Sequence, residues 1–301
     1  MPLEKFRHKR FHAASEARID QANAILEEYG GQGFKLTLRQ LYYKFVARNL
    51  IPNNQKEYKK LGELINDARL AGLIDWDAIV DHTRSLRGLM TWEDPAEIVS
   101  AQAYNFRLDP WKNQKQRIEV WIEKDAAVSI VAPVCNAHRI DFFSCRGYTG
   151  QSAMYSAGKR LEAYHDLGKE VTVLHFGDHD PSGMDMSRDI EERLKEFARQ
   201  PIQVLRCALN LDQVQQYNPP PNPAKETDSR CAGYVQEFGQ ESWELDALEP
   251  KVINDIIERE VLLRRDNKEF NRVMKLEKIQ RDQLRKCSDN WSEVTDFLKT
   301  L

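Results

Sequence analysis

Val171-Thr-Val-Leu-His-Phe-Gly-Asp178-His-Asp180-Pro-Ser-Gly183 is the stretch that decides the fold. Its apolar, β-branched run predicts a buried strand over 171–176 that ends in two carboxylates spaced i, i+2. On an extended backbone that spacing turns both side chains to one side. Pro181 and Gly183 break the strand and open a helix expected from near Met184. Like charges held together at a strand end are unfavourable unless a cation lies between them. The plainer alternative is that Asp178 and Asp180 cap the helix that follows.

A second segment works towards the same place. Arg117-Ile-Glu-Val-Trp-Ile122 reads as another strand and delivers Glu123 at its end, before a helical run from Asp125 to Asn136. In an open parallel sheet, side chains at the carboxyl ends of neighbouring strands converge on one crevice. Glu123, Asp178 and Asp180 are therefore the candidate metal ligands, a hard-oxygen set suited to Mg²⁺ or Mn²⁺. Around them strands and helices alternate at 117–122, 125–137, 140–145, 150–167, 171–176, 184–198 and 202–207, the pattern of an α/β layered sheet.

Upstream the period is helical. Ile19, Ala22, Ile25 and Leu26 predict a helix over 13–29, stopped by Gly30-Gly31. Thr37 caps a second helix to Arg48, and Leu61, Leu64, Ile65 and Ala68 stripe a third over 55–71. A turn and short strand over 72–80 complete the order of a winged helix-turn-helix, whose third helix enters a DNA major groove. Small helical bundles share that order. Lys5, Arg7, Lys9 and Arg10 make a basic arm, read either as a nucleic-acid contact or as a solvated terminus. A further helix runs from Trp92 to about Phe106, and Asn218-Pro-Pro-Pro-Asn-Pro223 is a rigid loop. The expected organisation is an arm (1–12), a winged helix-turn-helix domain (13–110), an α/β domain (111–248) and an extension of two amphipathic helices (249–301).

Composition excludes several classes. No apolar run is long enough to span a membrane and no charged-then-apolar leader is present, so a soluble cytoplasmic protein, nucleoid-associated if it binds DNA, is expected. Cysteines at 135, 145, 207, 231 and 287 are scattered, which argues against structural zinc and a disulfide framework. With 44 basic and 47 acidic residues the net charge is −3, so any nucleic-acid face is local.

The strand–Glu and strand–Asp-x-Asp arrangement resembles the Toprim domain of topoisomerases, primases and certain nucleases. Glu123-Lys-Asp125, Arg146-Gly147-Tyr148 and Asp178-His-Asp180-Pro-Ser-Gly183 together look like the A subunit of type IIB topoisomerases (topoisomerase VI) and the related meiotic double-strand-break transesterases. Thr149 stands where those proteins usually have proline. The resemblance implies that Glu123, Asp178 and Asp180 bind catalytic Mg²⁺. It also implies that Arg39-Gln-Leu-Tyr42-Tyr43 carries the nucleophile: Tyr43 attacks DNA and Arg39 assists at the phosphate. A phenol with pKa about 10 needs a nearby guanidinium or base to ionise. Tyr42 lies about 100° around the helix and is expected to pack.

Family members act on double-stranded DNA as homodimers, and strand passage needs a separate ATPase subunit. No Gly-x-x-x-x-Gly-Lys-Ser/Thr loop occurs in this chain, which looks like a short A-like member. Cleavage with a 5′-phosphotyrosyl product is the leading expectation. A Toprim nuclease using metal-activated water and a non-catalytic DNA-binding protein are the alternatives. His179 is expected to face away from the metal, and Lys124 and Arg146 either touch phosphate or balance charge. Glu244-Leu-Asp246-Ala-Leu resembles a segment near the end of related A subunits and receives no role.

Overall fold

Hydrophobic spacing in the first eighty residues produces three helices in the computed structural model of the chain, which describes residues 3–80, 91–224 and 227–300. They are α1 (Ala13–Gly31), α2 (Leu38–Ala47) and α3 (Gln55–Leu70). Thr37 and Gln40 close a capping box at α2: Thr37 Oγ1 accepts from Gln40 N at 3.3 Å, and Gln40 Oε1 accepts from Thr37 N at 2.7 Å. Ile19, Ile25, Leu41, Phe45, Leu61 and Ile65 share one apolar core. The strand expected within 72–80 reduces to a one-residue parallel bridge between Leu36 and Ile79. Leu36 is followed at once by the Thr37 cap, so that side offers no extended length to pair with. Residues 81–90 lie outside the described residues. The basic arm is strapped to the end of α3: Phe6 and Arg7 N–H groups both donate to Leu70 O at 2.9 Å, and Lys9 pairs with Asp67.

The alternating segments form the expected α/β layer. In chain order they are α4 (Pro95–Asn105), β1 (Gln116–Ile122), α5 (Val128–His138), β2 (Asp141–Ser144), α6 (Gln151–Asp166), β3 (Glu170–Phe176), α7 (Pro181–Ala198) and β4 (Gln203–Ala208). The four strands make a parallel sheet in the order β2-β1-β3-β4, which sets β1 and β3 side by side at its centre. Trp121, Val171, Val173, Met186, Ile190 and Leu194 fill the core between sheet and helices. Helix α7 starts three residues earlier than expected, because Asp180 is its N-cap and Pro181 its first residue, a position that needs no N–H donor.

Then follow α8 (Leu211–Tyr217), a two-residue ladder of β5 (Asn222–Pro223) with β6 (Glu241–Ser242), and α9 (Cys231–Phe238). The tail holds three helices rather than two: α10 (Pro250–Arg264), α11 (Asn267–Asp289) and α12 (Trp291–Leu298). Asp266 accepts from Lys268 N and Glu269 N and so starts α11 afresh. Two compact units result, Met1–Arg84 with Ile118–Val261, and Ser85–Arg117 with Leu262–Leu301. They interleave along the chain instead of following the boundaries expected at 110 and 248. In the second, α4 packs on α11, where Glu277 accepts from Leu108 N at 2.9 Å and pairs with Arg281. Among the described residues no helix is long and apolar enough to cross a membrane.

Helices α6 and α7 meet at Gly158. A methyl group there would overlap Phe197 Cβ and lie 3.1 Å from Ala198 N, which is backbone and cannot swing aside. Gly158→Ala should therefore destabilise the protein by about 1–3 kcal/mol, opposite to the usual gain from Gly to Ala in a helix, as read by urea denaturation.

Candidate functional site

Glu123 and Asp178 leave the carboxyl ends of the neighbouring strands β1 and β3, and their segments are laced together. Glu123 N donates to Phe176 O at 2.9 Å, and Asp178 N donates to Glu123 Oε2 at 2.8 Å. Both side chains are buried. Burial, then the charge of Asp178, pushes the Glu123 carboxyl up to about 7, and burial raises Asp178 as well. Crowded, buried carboxylates of this kind are a chemical fit for a hard divalent cation.

Asp180 behaves differently. Its Oδ1 accepts from Gly183 N at 2.6 Å and from Ser182 Oγ at 2.9 Å, the cap contacts of α7. Strand β3 ends at Phe176, so strand alternation no longer fixes where Asp178 and Asp180 turn. Among the described residues no three His, Cys, Asp or Glu side chains stand together as an ion-holding group. Glu123, Asp178 and Asp180 thus share a neighbourhood without forming three direct ligands.

Two cations answer the negative charge: Arg206, which the sequence did not single out, and Lys124, expected either to touch phosphate or to balance charge. Arg206 on β4 is half-buried and donates to Gly183 O at 2.8 Å, Asp178 O at 2.6 Å, Leu209 O at 3.1 Å and Gly177 O at 3.3 Å. It clamps the loop that carries both aspartates. Lys124 Nζ contacts Asp178 Oδ2 and lies 3.0 Å from Glu244 Oε2. Burial opposes its charge, but Asp178 and Glu244 outweigh burial and hold the ammonium strongly protonated.

Glu244 and Asp246 arrive through one β-bridge. His179 N donates to Trp243 O at 2.8 Å and Trp243 N to His179 O at 2.9 Å, which lays 243–246 beside the aspartate loop. Leu245 N then donates to Asp178 Oδ1 at 2.9 Å. The His179 ring sits among Tyr234, Phe238 and Trp243, with centroids 4.8–5.6 Å away, packed in an aromatic cage. Burial pushes Glu244 up, but Lys124 and Arg39 reverse this and hold it at about 2. Asp246, dominated by burial, is pushed up to about 6. In the sequence this pair stood out only through the resemblance of Glu244-Leu-Asp246-Ala-Leu to a segment of related A subunits, on a stretch with no strand pattern of its own.

Arg39 pairs with Glu244 and stands 3.4 Å from Asp246 Oδ2, with its guanidinium carbon 5.7 Å from the Tyr43 ring centre. Tyr43 is 4% exposed, and its hydroxyl neighbours Glu244 and Asn222. Burial and then the Glu244 charge push its pKa well above the ordinary phenol value, against the pull of Arg39. Tyr42 packs edge-on against Tyr43 and Tyr58, and its hydroxyl donates to Asn53 Oδ1 at 3.0 Å. Arg146 is exposed and pairs with Asp125 at 2.7 Å, and Tyr148 donates to Asp185 at 2.7 Å. No family model matches the chain, and no curated protein matches it.

His175, buried on β3 with Nδ1 2.8 Å from Ser187 Oγ, is pushed down to about 3 by burial and by Arg206. Its folded pKa lies below the unfolded value of about 6.5, so between the two the unfolded chain binds the extra proton. Stability should therefore fall as pH drops through 6.5, by about 2 kcal/mol between pH 7 and pH 5 from this group alone. His175→Gln should flatten that part of the pH profile in urea denaturation with chelator present.

Proposed function

We propose that this chain is a divalent-metal-dependent enzyme that cleaves double-stranded DNA, with a winged-helix-like N-terminal segment and a Toprim-like α/β layer, and that water is its nucleophile. The observation that carries the reading is the buried contact between the Glu123 and Asp178 segments at the ends of adjacent parallel strands. Glu123 and Asp178 would hold Mg²⁺ or Mn²⁺, with Asp180 alongside; such ions commonly take only one or two carboxylates and keep several waters. When bound, the ion supplies charge neutralisation at the phosphate and a water of lowered pKa. Arg206 holds the aspartate loop in place. Exposed Lys5, Arg7 and Arg10 on the arm, with Lys56 and Lys59 on α3, offer a local basic surface for the DNA backbone despite the net negative charge.

Water is favoured because Tyr43 is buried and the adjacent Glu244 opposes its ionisation. The tyrosine transesterase related to topoisomerase VI A subunits is the second reading, supported by the closeness of Arg39 to Tyr43. Arg39, Glu244 and Lys124 connect the Tyr43 helix to Asp178 within one chain, so a second copy is not required to bring these groups together.

In a plasmid nicking assay with Mg²⁺ or Mn²⁺, Glu123→Gln and Asp178→Asn should each slow cleavage about 10²-fold or more, the worth of several kcal/mol of charge stabilisation. Equal rates in both variants and the unmutated protein would remove the metal-site reading. Tyr43→Phe deletes only a hydroxyl and should cut as fast as the unmutated protein, with products that run identically on a denaturing gel before and after protease. Protein attached to 5′ ends, lost in Tyr43→Phe, would instead establish the tyrosine as nucleophile.

A further inference from the structure

Asp178 has a second acidic neighbourhood, distinct from its contact with Glu123. The His179–Trp243 bridge brings Glu244 and Asp246 to it. Asp246 is 1% exposed, yet among the described residues neither of its carboxylate oxygens accepts a hydrogen bond, and it forms an ion pair with Arg39 Nε at 3.4 Å. Burying a carboxylate without donors is unfavourable by several kcal/mol unless a cation answers it. Arg39 pairs with Glu244 as well as with Asp246, and the intervening Leu245 N donates to Asp178 Oδ1 at 2.9 Å, which sets Asp246 beside the same pocket. A cation already sits there: Lys124 Nζ, on Asp178 Oδ2 and 3.0 Å from Glu244 Oε2.

We propose that Asp178, Glu244 and Asp246 bound a cation pocket whose resident is the Lys124 ammonium, and that a divalent ion enters it by displacing Lys124. Asp178 and Glu244 are the direct oxygen donors, and Asp246 is the charge behind them. The inference rests on the reading of the acid cluster as a divalent-cation site, and adds a position for an ion beyond Glu123 and Asp180. Charge balance favours the exchange. Three carboxylates against Lys124 and Arg39 leave one negative charge, and replacing the ammonium with a divalent ion cancels it. Lys124 has somewhere to go, because its side chain is about a quarter exposed already.

The test uses the whole chain and Mn²⁺ alone. Binding is read from the loss of the free Mn²⁺ paramagnetic signal, and Lys124 is followed by brief acetylation and mass spectrometry. Lys124 acetylation should rise several-fold with Mn²⁺ and track its occupancy, while the distant Lys159 stays constant. Asp246→Asn should weaken Mn²⁺ binding by about tenfold or more and shift the Lys124 response to the same higher concentrations. Mn²⁺ bound with Lys124 still protected would overturn the proposal, and that reading needs no variant to fold. Binding lost in Glu123→Gln but unchanged in Asp246→Asn would keep the Glu123 site and remove this pocket. No Mn²⁺ binding by the unmutated protein would remove both.

Discussion

Buried carboxylates at the end of a parallel sheet repel one another, and the site exists only because cations are buried with them. Arg206 carries most of that burden. Its guanidinium gathers carbonyl oxygens from Gly177, Asp178, Gly183 and Leu209. A full positive charge thus lies beneath the aspartate loop and is felt by Glu123, Asp178 and Asp180. The same contacts fix the loop backbone, so electrostatics and geometry come from one side chain. Gly183 is part of the same arrangement, since a Cβ there would run into Asp178 O. The loop folds back onto the first turn of α7 only because that residue has none.

A second set of contacts joins α2 to the α/β layer. Gln40 Nε2 donates to Ala126 O at 3.0 Å, beside the segment that follows Glu123. Arg39 pairs with Glu244, and the buried Lys44 donates to Leu248 O at 3.2 Å and to Glu249 at 3.1 Å. Two successive turns of one short helix therefore meet the 244–249 segment, through Arg39 and Lys44. Ala247 enters the apolar core of α1, α2 and α3, which gives this polar contact a hydrophobic floor. The contacts explain why the helices before Arg84 and the sheet form one compact unit.

The sheet was legible because its central strands are short, apolar and rich in β-branched residues, and the helix after β3 opens on an Asp cap followed by proline. Glu123 and Asp178 could each be placed at a strand end from the sequence, and the sheet order then shows those strands to be neighbours. The role of Asp180 was open in the sequence, since Asp before Pro serves a helix cap and a cation equally well, and its cap contacts are seen. Lys124, Arg206, Glu244 and Asp246 were not legible as a group. Their meeting depends on a single-residue bridge between His179 and Trp243, and such a bridge has no periodicity to read. The two compact units are discontinuous along the chain for a similar reason: the segment around Leu108 is satisfied by Glu277, 169 residues later.

Glu244 is where these strands of argument meet. Its carboxylate is shared by Arg39, Lys124 and the neighbourhood of the Tyr43 hydroxyl, and the two cations hold it ionised at about 2. A carboxylate this well stabilised is a poor base, so it does not draw the proton from Tyr43. Its negative charge instead makes the phenolate harder to form. A stronger cation in the place of the Lys124 ammonium would neutralise more of that charge and ease the penalty on Tyr43. Burial of the ring would persist, and burial is the largest contribution to the raised pKa. On the proposed reading, a cation at Asp178 and Glu244 would ease ionisation of Tyr43 and leave it buried, whereas a metal-bound water at the sheet edge would need no such rearrangement.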